Sequence, residues 1–123
     1  MALVTGPLMQ VILYVHDMAR EVWFYRDILG LTIRYPQSLA DYSREMWVEL
    51  DTGACTLALH GGEHPAPDEV HEIVFPVNDI SQARLAILNA GVKIDEIRPL
   101  EDGMPIAEGV DPAGHRFAIR ASS

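Results

Sequence analysis

The stretch YVHDMAREVWFYRDILG (residues 14–30) decides the fold, because PVNDISQARLAILNAG (76–91) repeats its pattern of Val-x-Asp-apolar, a helix-like segment and a closing glycine. Later in the chain, DTGACTLALH (51–60) and DPAGHRFAIR (111–120) both begin at an Asp, contain a turn glycine and end in an alternating strand. Equivalent positions lie 60 to 62 residues apart throughout. Three similar pairs, in the same order and at a constant offset, predict two copies of one unit.

Each copy predicts a strand, a helix and three further strands. Asp17 and Asp79 suit the helix starts, because a short carboxylate can accept hydrogen bonds from the free amides of the first turn. Gly30 and Gly91 stand where a residue in the left-handed conformation closes a helix. A short strand-like run follows each glycine, LTIRY in the first copy and VKIDEI in the second. DTGA and DPAG then predict the turns of two hairpins.

The chain of 123 residues suits a single compact domain. Module 1 is predicted at about residues 8–60 and module 2 at about 70–121. The segment GGEHPAPDE (61–69), with its glycines, prolines and acidic residues, is the predicted linker. The fold class is therefore α+β, with two βαβββ modules in tandem.

Composition excludes several classes of protein. A formal net charge of −9 argues against nucleic acid as a partner and mildly favours neutral or cationic ligands. The single cysteine, Cys55, excludes an internal disulfide. No apolar run reaches the roughly 18 residues of a membrane span, and the start of the chain does not resemble a signal segment. We therefore expect a cytoplasmic protein with no membrane partner.

Alternation along the predicted strands gives each strand one apolar face and one mixed face. The mixed faces hold Gln10, Ile12, Tyr14, Thr56, Ala58, His60, Glu72, Val74, Pro76, Arg116, Ala118 and Arg120. Such a mixture suits the wall of a ligand-binding cup, which is apolar with a few convergent polar groups. The alternative is an ordinary, half-exposed sheet surface. Trp47 either adds an aromatic wall to the cup or belongs to the core.

These stretches resemble the vicinal oxygen chelate superfamily, which includes glyoxalase I, bleomycin-resistance proteins and extradiol dioxygenases. The resemblance covers about residues 8–121 and rests on VILYVHDMAREVWFYRDILGLTI, with its FY-x-x-x-LG core, VNDISQARLAILNAGVKI and DPAGHRFAIR. It implies that the paired modules curve into a barrel-like mixed sheet with the helices outside, often in a homodimer. Members of the superfamily share a scaffold rather than a reaction.

Metal-using members of the superfamily place ligands on the first and last strand of each module. The resemblance carries these positions to Gln10, Ala58, Glu72 and Ala118, and an alanine side chain has no donor atom. His60, two residues past Ala58 on the same face, is the one candidate to complete a set of three protein ligands. The resemblance therefore implies the scaffold of a metal site without its full ligand set.

The leading hypothesis is a protein of the bleomycin-resistance type that binds an aromatic or cationic small molecule in a cup without a catalytic metal. The predicted ligand-binding residues are Gln10, Tyr14, Trp47, His60, Glu72 and Arg116. The alternative is a lyase, isomerase or dioxygenase that resembles glyoxalase I and holds a divalent metal with Gln10, His60 and Glu72. Desolvation should raise the pKa of Glu72 in such a cup, unless Arg116 or Arg120 pairs with it. A third possibility is a subunit with no ligand of its own.

Overall fold

The computed structural model describes residue 4, residues 7–63, residue 67 and residues 71–121. The chain divides into two compact units, Met1–His64 and Pro65–Ser123. The division falls inside the predicted linker 61–69, of which residues 64–66, 68 and 69 lie outside the described part. Each unit contains one βαβββ module, so the predicted α+β class and tandem modules are confirmed.

Module 1 is a four-stranded mixed sheet with one helical segment. Its elements are β1 (Gln10–Tyr14), α1 (Met18–Val22), a π-helical segment (Trp23–Ile28), β2 (Thr32–Tyr35), β3 (Trp47–Asp51) and β4 (Thr56–His60). The strand order is β1-β4-β3-β2, with β1 parallel to β4 and the other neighbours antiparallel. The last strand of the module therefore lies inside the sheet, and its side chains occupy the middle of each face.

Module 2 repeats this arrangement. Its elements are β5 (Glu72–Val77), α2 (Ile80–Asn89), β6 (Arg98–Pro99), β7 (Pro105–Val110) and β8 (Arg116–Ala121). The strand order is β5-β8-β7-β6, and β5 is parallel to β8. Each module thus has its own hydrogen-bonded sheet, and the two sheets have the same strand order.

The helix starts form as the sequence predicts. Asp17 accepts a hydrogen bond from the backbone N–H of Arg20 at 3.1 Å, and Asp79 accepts one from Gln82 at 3.0 Å. Gly30 and Gly91 follow the helices with φ angles of +80° and +83°, the left-handed conformation that a glycine adopts without strain.

The first helix differs from the prediction over its second half. After α1, the backbone widens into the π-helical segment, and the N–H of Leu29 donates to the carbonyl of Phe24, five residues back. A π turn rotates less per residue than an α turn, so neighbouring side chains stay on the same side. Phe24 and Tyr25 are both fully buried, with ring centroids 4.9 Å apart.

The run VKIDEI does not form the strand that the repeat predicts. Within it, only Ile94 makes a bridge, opposite Gly109, and the paired strand β6 begins later at Arg98. The carbonyl of Asp95 accepts a hydrogen bond from the side chain of Arg84 in α2 at 2.7 Å instead of continuing the ladder. Pro99 then shortens β6, because a proline has no N–H to donate to a neighbouring strand.

The strands alternate as predicted, with one face in the core and one mixed face. The buried core residues of the inner strands are Val48, Leu50, Leu57, Leu59, Phe117 and Ile119. On the mixed face of β1, Ile12 and Tyr14 are 42% and 51% exposed. Val74 is the module 2 residue that corresponds to Ile12, and it is 46% exposed.

The helices of the described residues are too short or too polar to cross a bilayer.

Candidate functional site

Three ring side chains form a row across the mixed face of module 1, and we call Tyr14, Trp47 and His60 the aromatic row. His60 on β4 is directly opposite Tyr14 on β1 and Trp47 on β3. Its ring centroid lies 5.3 Å from that of Tyr14 and 5.8 Å from that of Trp47, both edge-to-face. Trp47 therefore belongs to the mixed face and not to the core. The row brings three of the predicted binding residues together.

Glu49 lies beside the aromatic row, two residues from Trp47 on the same face of β3. Its Oε2 accepts the indole N–H of Trp47 at 2.8 Å, and its Oε1 lies 3.4 Å from a guanidinium nitrogen of Arg34. Ala58 stands between Glu49 and Ile12 in the next row of the sheet and is fully buried. Between the carboxylate of Glu49 and the exposed side chain of Ile12, the sheet thus carries only the short side chain of Ala58.

Gln10 lies at the other end of β1, away from the aromatic row. Its carboxamide nitrogen donates to Thr56 Oγ1 at 3.1 Å, and Thr56 is directly opposite it on β4. Gln10 and Tyr14 are four strand positions apart, a distance of about 13 Å. The structure therefore places Gln10 on the predicted face, but apart from the other predicted residues of module 1.

At the positions equivalent to the aromatic row, module 2 has Pro76, Arg120 and Ile106. The mixed face of module 2 also carries a group of linked ionic side chains, and we call Glu72, Arg98, Glu108 and Arg116 the ionic network. Arg116 on β8 is directly opposite Glu72 on β5. Its guanidinium lies 3.6 Å from Glu72 Oε1 and 3.2 Å from Glu108 Oε2. Arg98 donates to Glu108 Oε1 through two of its nitrogens, one of them at 3.1 Å. The structure thus brings the predicted pair Glu72 and Arg116 together, with two further members.

The two carboxyl groups of the ionic network have pKa values shifted in opposite directions. Burial raises the pKa of Glu72, the hydrogen bond and negative charge of Glu108 raise it further, and Arg116 opposes the shift. The pKa of Glu108 is lowered, first by the hydrogen bond with Glu72 and then by Arg98. Of the two carboxyl groups, Glu72 is therefore the one that takes up a proton first as the pH falls, because its pKa is raised and that of Glu108 is lowered. Both sequence-based expectations for Glu72, desolvation and pairing with Arg116, hold at once.

Sequence analysis did not select Glu49 and Glu108 as site residues, although they are structural equivalents. Each lies directly opposite the buried alanine of the last strand, Ala58 in module 1 and Ala118 in module 2. A comparison of the two copies does not align the glutamates, because the second copy has one more residue between the glutamate and the turn aspartate. Glu49 precedes Asp51 by two positions, whereas Glu108 precedes Asp111 by three. Only the strand register shows that the two glutamates correspond.

A model of the glyoxalase/bleomycin resistance protein/dioxygenase superfamily matches residues 8–119 of the chain. The chain belongs to this superfamily. The match covers both modules, and it agrees with the predicted resemblance. No curated protein is significantly similar in sequence to this superfamily member.

Solved structures of several superfamily relatives have the same fold. Lactoylglutathione lyase from Agrobacterium tumefaciens is 18% identical over 96% of this chain and 95% of that one, with a TM-score of 0.73. The fosfomycin resistance protein FosX from Mesorhizobium loti is 18% identical over 98% and 95%, with a TM-score of 0.74. A protein of unknown function from Agrobacterium tumefaciens is 22% identical over 98% of both chains, with a TM-score of 0.77. At these identities the likeness shows the fold alone.

The residues at the implied metal positions do not fit a transition-metal site. Ala58 and Ala118 have no donor atom and are fully buried. The side chain of Gln10 donates to Thr56, and Glu72 belongs to the ionic network. Over the described part of the chain, no three His, Cys, Asp or Glu side chains are grouped so that they could hold a metal ion.

Proposed function

We propose that this superfamily member binds an aromatic or cationic small molecule on the mixed faces of its sheets, without a catalytic metal. The observation that supports the proposal best is the aromatic row. Tyr14, Trp47 and His60 lie side by side on three adjacent strands, and Tyr14 is 51% exposed. Aromatic side chains contribute large contact areas at small entropic cost, which is why they dominate the energetics of ligand-binding surfaces.

The side chains around the aromatic row have the mainly apolar character of a ligand-binding surface rather than that of a surface open to bulk water. Next to the row are the exposed side chain of Ile12 and the carboxylate of Glu49, which supplies one polar group. A wall that is mainly apolar and carries a few placed polar groups is typical of small-molecule sites. An aromatic ligand on this face would gain about 0.5 to 1.5 kcal/mol for each favourable ring pair, beyond the area that it buries.

The metal-dependent alternative receives no support from module 1. Its proposed ligands Gln10 and His60 occupy the same face, but they lie four strand positions apart, or about 13 Å between backbones. Both side chains would have to extend fully toward one another to reach one ion. Gln10 is instead bound to Thr56, directly across the sheet.

Intrinsic fluorescence tests the proposal, because the chain has two tryptophans and only one of them lies in the row. Trp23 lies in the π-helical segment, with the guanidinium of Arg20 4.8 Å from its ring centroid. Variant Trp23→Phe leaves Trp47 as the reporter, and variant Trp47→Phe leaves Trp23 as the matched control. A thermal-shift screen of aromatic and cationic compounds supplies the ligand, since any compound that binds the native state raises the melting temperature.

We expect a stabilising compound to change the fluorescence of Trp23→Phe and to leave that of Trp47→Phe unchanged. We also expect Tyr14→Ala to weaken binding about tenfold, the equivalent of about 1.4 kcal/mol. Equal affinity in the wild type, Tyr14→Ala and Trp47→Ala would reject the row as the binding surface. Loss of a dimer in these two variants, without any effect on ligand binding, would instead assign the row to a second copy of the chain.

A further inference from the structure

The two equivalent glutamates, Glu49 and Glu108, have different surroundings. In each module the glutamate lies opposite the buried alanine and pairs with an arginine from the edge of the sheet, Arg34 on β2 and Arg98 on β6. The repeated row of arginine, glutamate and alanine is a feature that the duplicated unit keeps in both copies. Any difference between the two copies then bears on which of the glutamates is available to a ligand.

Glu49 keeps room for further hydrogen bonds. A carboxylate can accept about four. Over the described residues, Glu49 accepts the indole N–H of Trp47 at 2.8 Å and a long contact of 3.4 Å from Arg34. The side chain of Arg34 is 61% exposed, and exposed ion pairs of this kind contribute little to stability. An incoming cation can therefore replace Arg34 at small cost.

The carboxylate of Glu108, by contrast, already accepts hydrogen bonds from arginines on both of its oxygens. Its Oε1 accepts from two nitrogens of Arg98, and its Oε2 accepts from Arg116 at 3.2 Å. Arg116 also contacts the carboxyl group of Glu72, which adjoins that of Glu108. Two arginines thus satisfy Glu108, and it is these partners rather than burial that distinguish the two glutamates, whose side chains are 16% and 20% exposed. A cationic ligand would have to break the ionic network to reach it.

We propose that Glu49 is the counter-ion for a cationic group attached to a planar ring, and that Glu108 is its structural, ligand-independent equivalent. The inference rests on the proposed function, because the ring of the ligand is placed against the aromatic row. Trp47 and Glu49 are same-face neighbours on β3, about 6 to 7 Å apart. A ligand whose positive charge is one or two bonds from an aromatic ring spans this distance. The net charge of −9 attracts such a cation.

Benzamidine and benzamide form a matched pair of probes, because they have almost the same shape and only benzamidine carries a positive charge. We expect the wild type to bind benzamidine about tenfold more tightly than benzamide, as measured by titration followed by NMR. Glu49→Gln should remove this preference, because it should weaken benzamidine binding much more than benzamide binding. Glu108→Gln is the matched control and should keep the preference.

A second variant, Arg34→Gln, should change the affinity for benzamidine in the opposite direction to Glu49→Gln. If Arg34 competes with the ligand for Glu49, its removal should strengthen benzamidine binding severalfold without a change for benzamide. A role for Glu49 in folding alone would not produce such an increase. Thermal denaturation of each variant checks that it is folded before the titration.

The outcomes separate this inference from the proposed function. If Trp47→Ala weakens both probes while Glu49→Gln leaves the charge preference intact, Glu49 is not the counter-ion but the aromatic row still binds the ligand. If neither probe binds the wild type at millimolar concentration, or if both bind Trp47→Ala as well as they bind the wild type, both proposals are overturned.

Discussion

Ala58 and Ala118 occupy the same place in the two modules, each fully buried and each opposite a glutamate on the neighbouring strand. The carboxylates of Glu49 and Glu108 thus project from a strand about 4.8 Å to the side of the position that the superfamily resemblance implies for a metal ligand. There they accept hydrogen bonds from an indole and from arginines. At this scale, two alanines stand where the superfamily resemblance implies side chains that hold a metal.

The first prediction at the residue scale is that the effect of Glu72→Gln on the melting temperature depends on pH. The pKa of Glu72 is raised in the folded state, so its ionisation opposes folding, and the wild type loses stability as the pH rises through the interval above the usual pKa of a glutamate. Glutamine imitates the protonated side chain at every pH. The melting temperature of Glu72→Gln should therefore match that of the wild type in acid and exceed it at neutral pH.

Glu108 contributes with the opposite sign and in a different interval. Its pKa is lowered, so the stability that it provides is present above the usual pKa of a glutamate and is lost as the pH falls below it. The wild type and Glu72→Gln both keep Glu108, so this loss occurs in each, although not at the same pH, because Glu72 itself contributes to the lowered pKa of Glu108. The melting temperatures of the wild type and Glu72→Gln should therefore differ more at neutral pH than in acid. A difference that stays constant over this range would contradict the raised pKa of Glu72.

Some residues of the candidate site could be predicted from the sequence, and others could not. Alternation placed Tyr14 and His60 on the mixed face, because a strand period of two fixes the side on which each side chain lies. Whether Trp47 joined them depended on the pairing of β3 with β4, which the sequence does not show. The ladder partners of Glu49 and Glu108 were hidden for the same reason.

At the scale of elements, the two hairpin turns give a matched pair of variants. Asp51 Oδ1 accepts one backbone N–H, from Gly53 at 2.8 Å, and is exposed. Asp111 is 3% exposed, and its Oδ1 accepts two, from Ala113 at 3.0 Å and His115 at 2.8 Å. Asp111→Ala leaves both donors unsatisfied and should lower the free energy of unfolding by roughly 2 to 3 kcal/mol.

Asp51→Ala should cost roughly 0.5 to 1 kcal/mol, because water can replace the lost acceptor at an exposed turn. Chemical denaturation of both variants measures the difference. Asp111→Asn keeps the oxygen that accepts the two hydrogen bonds and should recover part of the loss. Equal destabilisation by the two alanine variants would show that burial of Asp111 does not matter.

Gly109 gives a second prediction for the strands. A Cβ atom at this position would lie 2.5 Å from the carbonyl oxygen of Lys93 and 2.9 Å from the ring of Phe117. Gly109→Ala should therefore destabilise the protein by about 2 kcal/mol or more, since a buried strand cannot move aside freely. Gly61→Ala is the control, because its nearest contact would be 3.3 Å, and it should cost less than about 1 kcal/mol.

The elements themselves were largely predictable, because their ends are marked by local chemistry. Asp17 and Asp79 cap the helices, and Gly30 and Gly91 close them, as the repeat indicates. The two departures have causes that the repeat pattern does not show. The first helix widens where the adjacent rings of Phe24 and Tyr25 are both buried. The run VKIDEI stops pairing with its neighbour where the side chain of Arg84 donates to the carbonyl of Asp95.

At the scale of the whole molecule, two modules of one design have acquired different surfaces. Module 1 presents the aromatic row, whereas module 2 presents the ionic network. The internal repeat was sufficient to predict the fold, since both copies give the same sheet order. The ligand is not predictable in this way, because relatives that share 18 to 22% of their residues with this chain share its fold alone. A shared cup and a homodimer stay predictions.

The central claim is that the protein binds an organic ligand without a catalytic metal, and elemental analysis of the purified protein tests it most directly. The protein is incubated in turn with Ni²⁺, Zn²⁺, Mn²⁺ and Fe²⁺, separated from free metal, and analysed together with Glu72→Ala. We predict much less than one equivalent of each metal per chain, with no difference between the wild type and the variant. One tightly bound equivalent in the wild type that is absent from Glu72→Ala would contradict the account.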